Sequence, residues 1–266
     1  MIIVFSGTGN SLAVARGLRE RLGGDVVVLD GELLLRPSSR VLEVPEGEDV
    51  VWVFPIYSWG VPPVVADFIR KSKIKGAHEA RHFMVCTCGD DIGYADNQWR
   101  QLIGRRGWSP RGVFSVQMPN TYVLMKGFDV DSPEAATEKL AAMPARLDAV
   151  AASIRRGFSE SDVIRGSSAW LKTAVVYPLF RRFCMSPRPF HAIDSCTSCG
   201  LCARSCPMQN ISMAPVPDGS DGTSASSRPS WGNRCALCLR CYHICPSHAV
   251  AYGHETASKG QKQILK

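Results

Sequence analysis

Eight of the eleven cysteines fall into two copies of one spacing, Cys196-x2-Cys199-x2-Cys202-x3-Cys206-Pro207 and Cys235-x2-Cys238-x2-Cys241-x3-Cys245-Pro246. Three thiolates at such intervals sit on one tight loop and grip three irons of a cubane, while the fourth points away and serves the neighbouring cluster. The spacing therefore predicts one [4Fe-4S] cluster on Cys196, Cys199, Cys202 and Cys245, and a second on Cys235, Cys238, Cys241 and Cys206. Two zinc sites are the alternative, but tetrahedral zinc takes paired knuckles and has no use for a third cysteine at the same interval. A disulfide framework needs an oxidising compartment. Met1 leads directly into the apolar run Ile2-Ile3-Val4-Phe5 rather than a secretory leader, so a cytoplasmic protein is expected.

A second chemical feature follows that apolar run: Ser6-Gly7-Thr8-Gly9-Asn10-Ser11, and then Leu12, Ala15, Leu18 and Leu22 at helical spacing, stopped by Gly23-Gly24. A strand, a loop of glycines and hydroxyls and a helix make an anion site, because backbone N–H groups and the helix N-terminus face the ligand. The loop lacks both the lysine of a triphosphate P-loop and the G-x-G-x-x-G of a dinucleotide site, which favours a monophosphate. A plain tight turn is the alternative reading of the loop alone.

These loops need elements to position them. Short apolar strands are expected at Met1–Phe5, Val26–Leu29, Val50–Phe54, His82–Cys86 and Val113–Val116, alternating with helical stretches. That is the pattern of an α/β fold with a doubly wound, five-stranded parallel sheet in the order 2-1-3-4-5, whose ligands bind beyond the carboxyl ends of the strands. Two further unusual loops occupy such ends: Pro55-Ile56-Tyr57-Ser58-Trp59-Gly60 and Thr87-Cys88-Gly89-Asp90-Asp91-Ile92-Gly93-Tyr94.

With these motifs in place, residues 1 to about 155 resemble a flavodoxin, the loop from Phe5 to Ser11 matching that family's FMN phosphate loop nearly letter for letter. The whole chain resembles the flavodoxin/ferredoxin fusion family, an FMN-binding domain followed by a small α+β domain of the bacterial two-cluster ferredoxin type. The resemblance implies that Ser6, Gly7, Thr8, Gly9, Asn10 and Ser11 hold the FMN phosphate. It implies that Tyr57 or Trp59, flanked by Pro55 and Ser58, stacks on the isoalloxazine, and that the backbone around Gly60 meets flavin N5. Thr87, Cys88, Gly89, Asp90 and Tyr94 would line the other edge of the ring. Trp59 has an alternative place beneath Val61 and Phe68.

The chain of 266 residues then divides into a flavodoxin-like unit (1–157), a connecting segment (158–190), a ferredoxin-like unit (191–254) and a basic tail (255–266). The formal charge of +7 suggests nucleic acid, but two clusters and a flavin phosphate bring it close to neutral, so nucleic acid is not expected as a partner. No apolar run nears the roughly 20 residues that span a bilayer. Arg105-Arg106, Arg181-Arg182 and the tail from Lys259 to Lys266 read as solvated surface, or else as docking sites for an acidic redox partner. Pro133–Arg156 reads as a helix kinked or split at Pro144. Residues 157–168 read as a polar loop, and Trp170–Phe183 as an interdomain element, with a membrane-surface helix as the alternative. Pro215–Pro229 is low-complexity and reads as a mobile loop.

Cys86 and Cys184 fit burial as small hydrophobes. Cys88 fits flavin contact better than nucleophilic catalysis. His243, inside a cluster loop, fits either a hydrogen bond to the cluster surroundings or the surface, and His191 and His254 show no pairing. The expected function is electron transfer between the clusters, FMN and a redox protein, donor or acceptor. A flavin enzyme acting on an organic substrate and a redox sensor are the alternatives. A pocket lined by Asp90–Trp99 and Thr121–Phe128 would favour the enzyme. The sequence leaves the oligomeric state open.

Overall fold

The computed structural model describes residues 1–215 and 227–265. The larger part is a parallel sheet of β1 (Ile2–Val4), β2 (Val26–Val28), β3 (Val50–Pro55), β4 (Arg81–Cys88), β5 (Ser109–Gln117) and β6 (Ser161–Asp162). Their spatial order is β2-β1-β3-β4-β5-β6. The first five strands follow the flavodoxin order, with the switch point between β1 and β3.

Helices α1 (Asn10–Leu22), α2 (Pro63–Lys71), α3 (Ala95–Gly104) and α4 (Pro133–Arg155) cover both faces. The strands therefore read as nearly continuous apolar runs. Alternate residues still divide between the faces: Ile2, Val4, Val51 and Val53 join Val14, Leu18 and Leu147, whereas Ile3, Phe5, Trp52 and Phe54 join Phe68, Ile69 and Trp99.

The sixth strand corrects the expected count of five and the expected loop at 157–168. Ser161 and Asp162 pair with Val113 and Phe114 at the sheet edge. Two polar residues carry no apolar periodicity. Their place is set by distant partners: Arg146 donates to the Asp162 carboxylate and carbonyl at 2.6 and 2.8 Å, and the Ser161 hydroxyl donates to Asp96 at 2.8 Å. Helix α4 runs unbroken through Pro144, so of the two expected outcomes there the split is overturned. Pro144 is exposed, so water can reach the carbonyl that loses its donor.

The smaller part carries the two cysteine motifs. Each motif closes on a single helical turn, Leu201–Arg204 and Arg240–His243. Two antiparallel pairs flank them, Phe190–Ala192 with Val250–Tyr252 and Ile211–Pro215 with Ser227–Trp231. The ends of the segment read as a mobile loop, Pro215 and residues 227–229, are thus strand; the remainder of that reading, 216–226, lies outside the described residues.

Helix α5 (169–184) has two stretches of wide turns, Lys172–Val176 and Phe180–Cys184. Its inner residues engage the larger part: the Tyr177 hydroxyl donates to the Val61 carbonyl and Phe180 meets Tyr122 edge-on. Arg106, read as solvated, instead donates to the carbonyls of Ile69, Arg70 and Ser72 at the end of α2 and stacks on Trp108.

Candidate cluster and flavin site

Each cysteine loop is wound by left-handed residues, and the winding repeats. Ser198, Gly200 and Gln209 in the first half correspond to Leu237, Leu239 and His248 in the second, all with φ between 47° and 66°. Leucine pays about 1–2 kcal/mol for that conformation. It persists because Leu237 and Leu239 are buried with Tyr242 and Val250, so packing holds the backbone there. The turns aim N–H groups at sulfur: Leu237 donates to Cys235 Sγ at 3.3 Å, Ala249 to Cys245 Sγ at 3.2 Å and Asn210 to Cys206 Sγ at 3.4 Å. The Leu201 N–H holds the Cys199 thiol below its usual range.

The cysteines gather in crossed sets. Burial first, and then Cys245, Cys199 and Cys196 beside it, push the Cys202 thiol up. These same four line a small cavity with Gly200 and Pro246. In the other half burial, followed by Cys238 and Cys206, pushes Cys235 up to about 12, and Cys241 is raised by burial and by Cys238, Cys235 and Cys206. Thiols that raise one another in this way are costly as thiolates until a cation neutralises them. Among the described residues no three His, Cys, Asp or Glu side chains converge as a site for a single metal ion. The donor set suits a cluster that spreads its ligands better than it suits zinc.

The loop after β1 and Tyr57 of the loop after β3 lie beside the second cysteine set, whereas the loop after β4 reaches Ser11 through Thr87. In the loop after β1, Ser6 to Ser11 are all buried. The N–H groups of Thr8, Asn10 and Ser11 meet no acceptor among the described residues, whereas Gly9 N–H donates to Ser6 Oγ at 3.1 Å. Buried unpaired donors at the head of a helix suit a phosphate. The loop carbonyls are taken: Arg240 Nε donates to the Gly7 carbonyl at 2.7 Å and Nη2 to that of Ser6 at 2.8 Å. Gly7 packs so tightly on Cys238 that a Cβ there would sit 2.8 Å from the Cys238 Cβ. Tyr57, half-buried, has its hydroxyl pKa raised by desolvation and then by Cys238 and Cys235.

The remaining ring-contact candidates are spread between this loop and α5. Pro55, at the end of β3, leads into a tight turn in which Tyr57 and Gly60 exchange two 3.0 Å backbone bonds. Ser58 and Trp59 at its centre have φ of 45° and 63°, a type I′ geometry that side chains rarely adopt. Gly60 lies against the Tyr177 ring with no room for a Cβ. Lys172 stands 5.0 Å over the Trp59 ring, and Thr173 Oγ1 accepts from Tyr94 N–H at 2.8 Å while donating to the Trp59 carbonyl at 3.0 Å. In the third loop, Thr87 Oγ1 shares a 2.7 Å hydrogen bond with Ser11, Gly89 faces Asn120 and Asp90 is exposed. Burial, then Asp91 and Asp90, push Cys88 up to about 12, so it stays a neutral thiol. Cys86 is fully buried and Cys184 only half-buried.

Several participants escaped the sequence reading. His243 is neither on the surface nor at a sulfur: its Nε2–H donates to the Thr121 carbonyl at 2.8 Å and its Nδ1 accepts from Lys262 N–H at 3.1 Å, and burial lowers its pKa to about 4. The basic tail folds back on the protein from Lys259 to Leu265, and Lys266 lies outside the described residues. Tyr242 OH donates to the carbonyls of Lys259 and Gly260, Gln261 donates to the Tyr242 and Cys245 carbonyls, and Leu265 packs on Gly9. Lys262 Nζ reaches Asn10 Oδ1, and burial lowers its pKa to about 8. Only tertiary structure brings Arg240 and Lys262 to a loop 233 and 252 residues away in sequence.

Residues 195–250 match the family model of a 4Fe-4S dicluster domain. Among solved structures the chain is similar to the Trp repressor binding protein from Bacillus subtilis, with 14% identity over 55% of this chain and 97% of that one and a TM-score of 0.34. It is likewise similar to the azoreductase AzrA, with 15% identity over 57% of this chain and 100% of that one and a TM-score of 0.33. No curated protein matches the chain. No described helix is long and apolar enough to cross a membrane.

Proposed function

We propose that the chain is an electron-transfer flavoprotein, carrying electrons between two [4Fe-4S] clusters and FMN and on to a partner oxidoreductase. One observation carries the reading: the Cys238 loop sits directly on Gly7, beside half-buried Tyr57, and Arg240 ties it to the Ser6 and Gly7 carbonyls. When bound, the clusters supply one-electron chemistry and the flavin one- or two-electron chemistry.

The protein contributes placement. Cys196, Cys199, Cys202 and Cys245 would hold one cluster, and Cys235, Cys238, Cys241 and Cys206 the other, with the N–H groups of Leu237, Ala249 and Asn210 stabilising the thiolates. Thr8, Asn10 and Ser11 would take the phosphate on their free N–H groups. Lys262 would bring the positive charge that the loop lacks. Tyr57 and the Cys88–Asp90 backbone remain for the ring system, since Gly60, Trp59 and Tyr94 already pack on Tyr177, Lys172 and Thr173.

The Thr121–Phe128 segment also favours a carrier over a substrate-specific enzyme. Val123 and Leu124 are buried among Cys202, Leu239 and Tyr242, so this stretch docks the cysteine-bearing part instead of lining a substrate pocket. The test is anaerobic rapid mixing with a low-potential reductant, comparing wild type with a Cys199→Ala, Cys238→Ala variant. Flavin reduction should slow in the variant. Equal rates from a ferredoxin donor would transfer the case to a direct flavin enzyme.

A further inference from the structure

Helix α5 turns an apolar face outwards. Tyr177 and Phe180 are buried, but Trp170 and Phe183 are 67% and 71% exposed, and Leu171, Val175 and Leu179 between them are exposed as well. Water tolerates single apolar side chains, whereas a continuous stripe of them on one helix marks a docking surface. The surrounding charge is of one sign: from Val163 to Ile193 there is no Asp or Glu, while Arg165, Lys172, Arg181, Arg182 and Arg188 all fall in that stretch. Arg165 and Lys172 are spent on Asp96 and Asp91. Arg181 and Arg182 are exposed and have no carboxylate partner among the described residues.

We propose that α5 lies flat on an anionic lipid surface, its Trp170–Phe183 stripe in the headgroup boundary and Arg181 and Arg182 on the lipid phosphates. The chemistry separates this occupant from an acidic protein. Protein interfaces carry about one hydrogen bond per 100–200 Å², and between Trp170 and Leu179 the outward residues Leu171, Ala174, Val175, Val176 and Pro178 offer no side-chain donor or acceptor. A lipid boundary asks for none, and it accepts an apolar stripe ended by an aromatic and flanked by arginine. The helix rests on the surface and does not enter it. Sixteen residues span about 24 Å, and the inner side is held by Tyr177 on Val61 and Thr173 on Trp59.

The experiment is co-sedimentation of the anaerobically purified full chain with phosphatidylglycerol vesicles, with phosphatidylcholine vesicles as the comparison and sedimentation velocity without lipid in parallel. Binding to phosphatidylglycerol should exceed binding to phosphatidylcholine at least tenfold and weaken with salt. Arg181→Gln with Arg182→Gln should reduce binding to phosphatidylglycerol roughly tenfold to a hundredfold. Leu171→Ser, Leu179→Ser and Phe183→Ser together should abolish it while leaving iron and flavin content unchanged, because all three side chains are already exposed. Equal, weak binding to both vesicles, or binding indifferent to these substitutions, would overturn the proposal. So would lipid-free dimerisation that the triple serine variant abolishes, which would assign the stripe to a second copy of the chain.

Discussion

Replacing Arg240 by alanine tests whether the two parts of the chain work as one unit. The guanidinium donates to the Gly7 carbonyl at 2.7 Å and the Ser6 carbonyl at 2.8 Å, with a longer contact of 3.3 Å to Ser205. Hydrogen bonds to a charged group contribute roughly 1.5–3 kcal/mol each. Arg240 is half-buried, so water replaces part of the loss, and about 3 kcal/mol is the expected cost of removing both short bonds. At 1.4 kcal/mol per factor of ten, transient separation of the Cys238 loop from the Ser6–Ser11 loop should become roughly a hundredfold more frequent. Hydrogen exchange of the cofactor-loaded protein reads this directly: amides at Thr8–Ser11 and Cys241–His243 should lose protection together, while those of β3 and β4 keep theirs. Gly7→Ala should give the same pattern without a change of charge, since its Cβ has no room against Cys238. Flavin reduction after mixing should slow in both variants at unchanged iron and flavin content. Full protection and wild-type rates in both would show that the contact does not hold the electron path together.

Three further outcomes are expected. Cys206→Ala should alter the paramagnetic spectrum of the cluster assigned to Cys235, Cys238 and Cys241 and spare the other; loss of the opposite cluster would refute the crossed assignment. Lys262, with its pKa lowered by burial to about 8, should make FMN affinity fall as pH rises above about 8, because binding must then take up a proton. Riboflavin affinity should stay flat, and Lys262→Met should remove the pH dependence; a Met variant that retains it would clear Lys262 of a role at the phosphate. His82 stacks on Trp108 at 5.0 Å between centroids, accepts from Trp52 Nε1 at 3.0 Å, and has its pKa lowered by burial from 6.5 to about 4. Its contribution to stability is full above pH 6.5 and is lost as pH falls towards 4, since the unfolded chain takes the proton first. Between pH 7 and 5 the loss is about 2 kcal/mol, measurable in urea midpoints as a slope that His82→Asn should flatten.

The cysteine spacing, the Ser6–Ser11 loop and the apolar strand runs were legible because each depends on local geometry: thiols at fixed intervals, a loop between a strand and its helix, side chains alternating across a sheet. Five strands were readable for that reason, and the Ser161–Asp162 edge was not, since Arg146 and Asp96 hold it from afar. The basic residues were misread for the same cause. A run of arginine or lysine looks solvated in one dimension, but Arg106 and Lys262 end on carbonyl or amide oxygens that other segments present. Sequence alone thus determined which chemical groups this chain owns. Tertiary structure decided which of them face one another, because the contact of Cys238 with Gly7, the tail over Asn10 and the outward stripe of α5 depend on how two separately coded parts pack, and no local period records that.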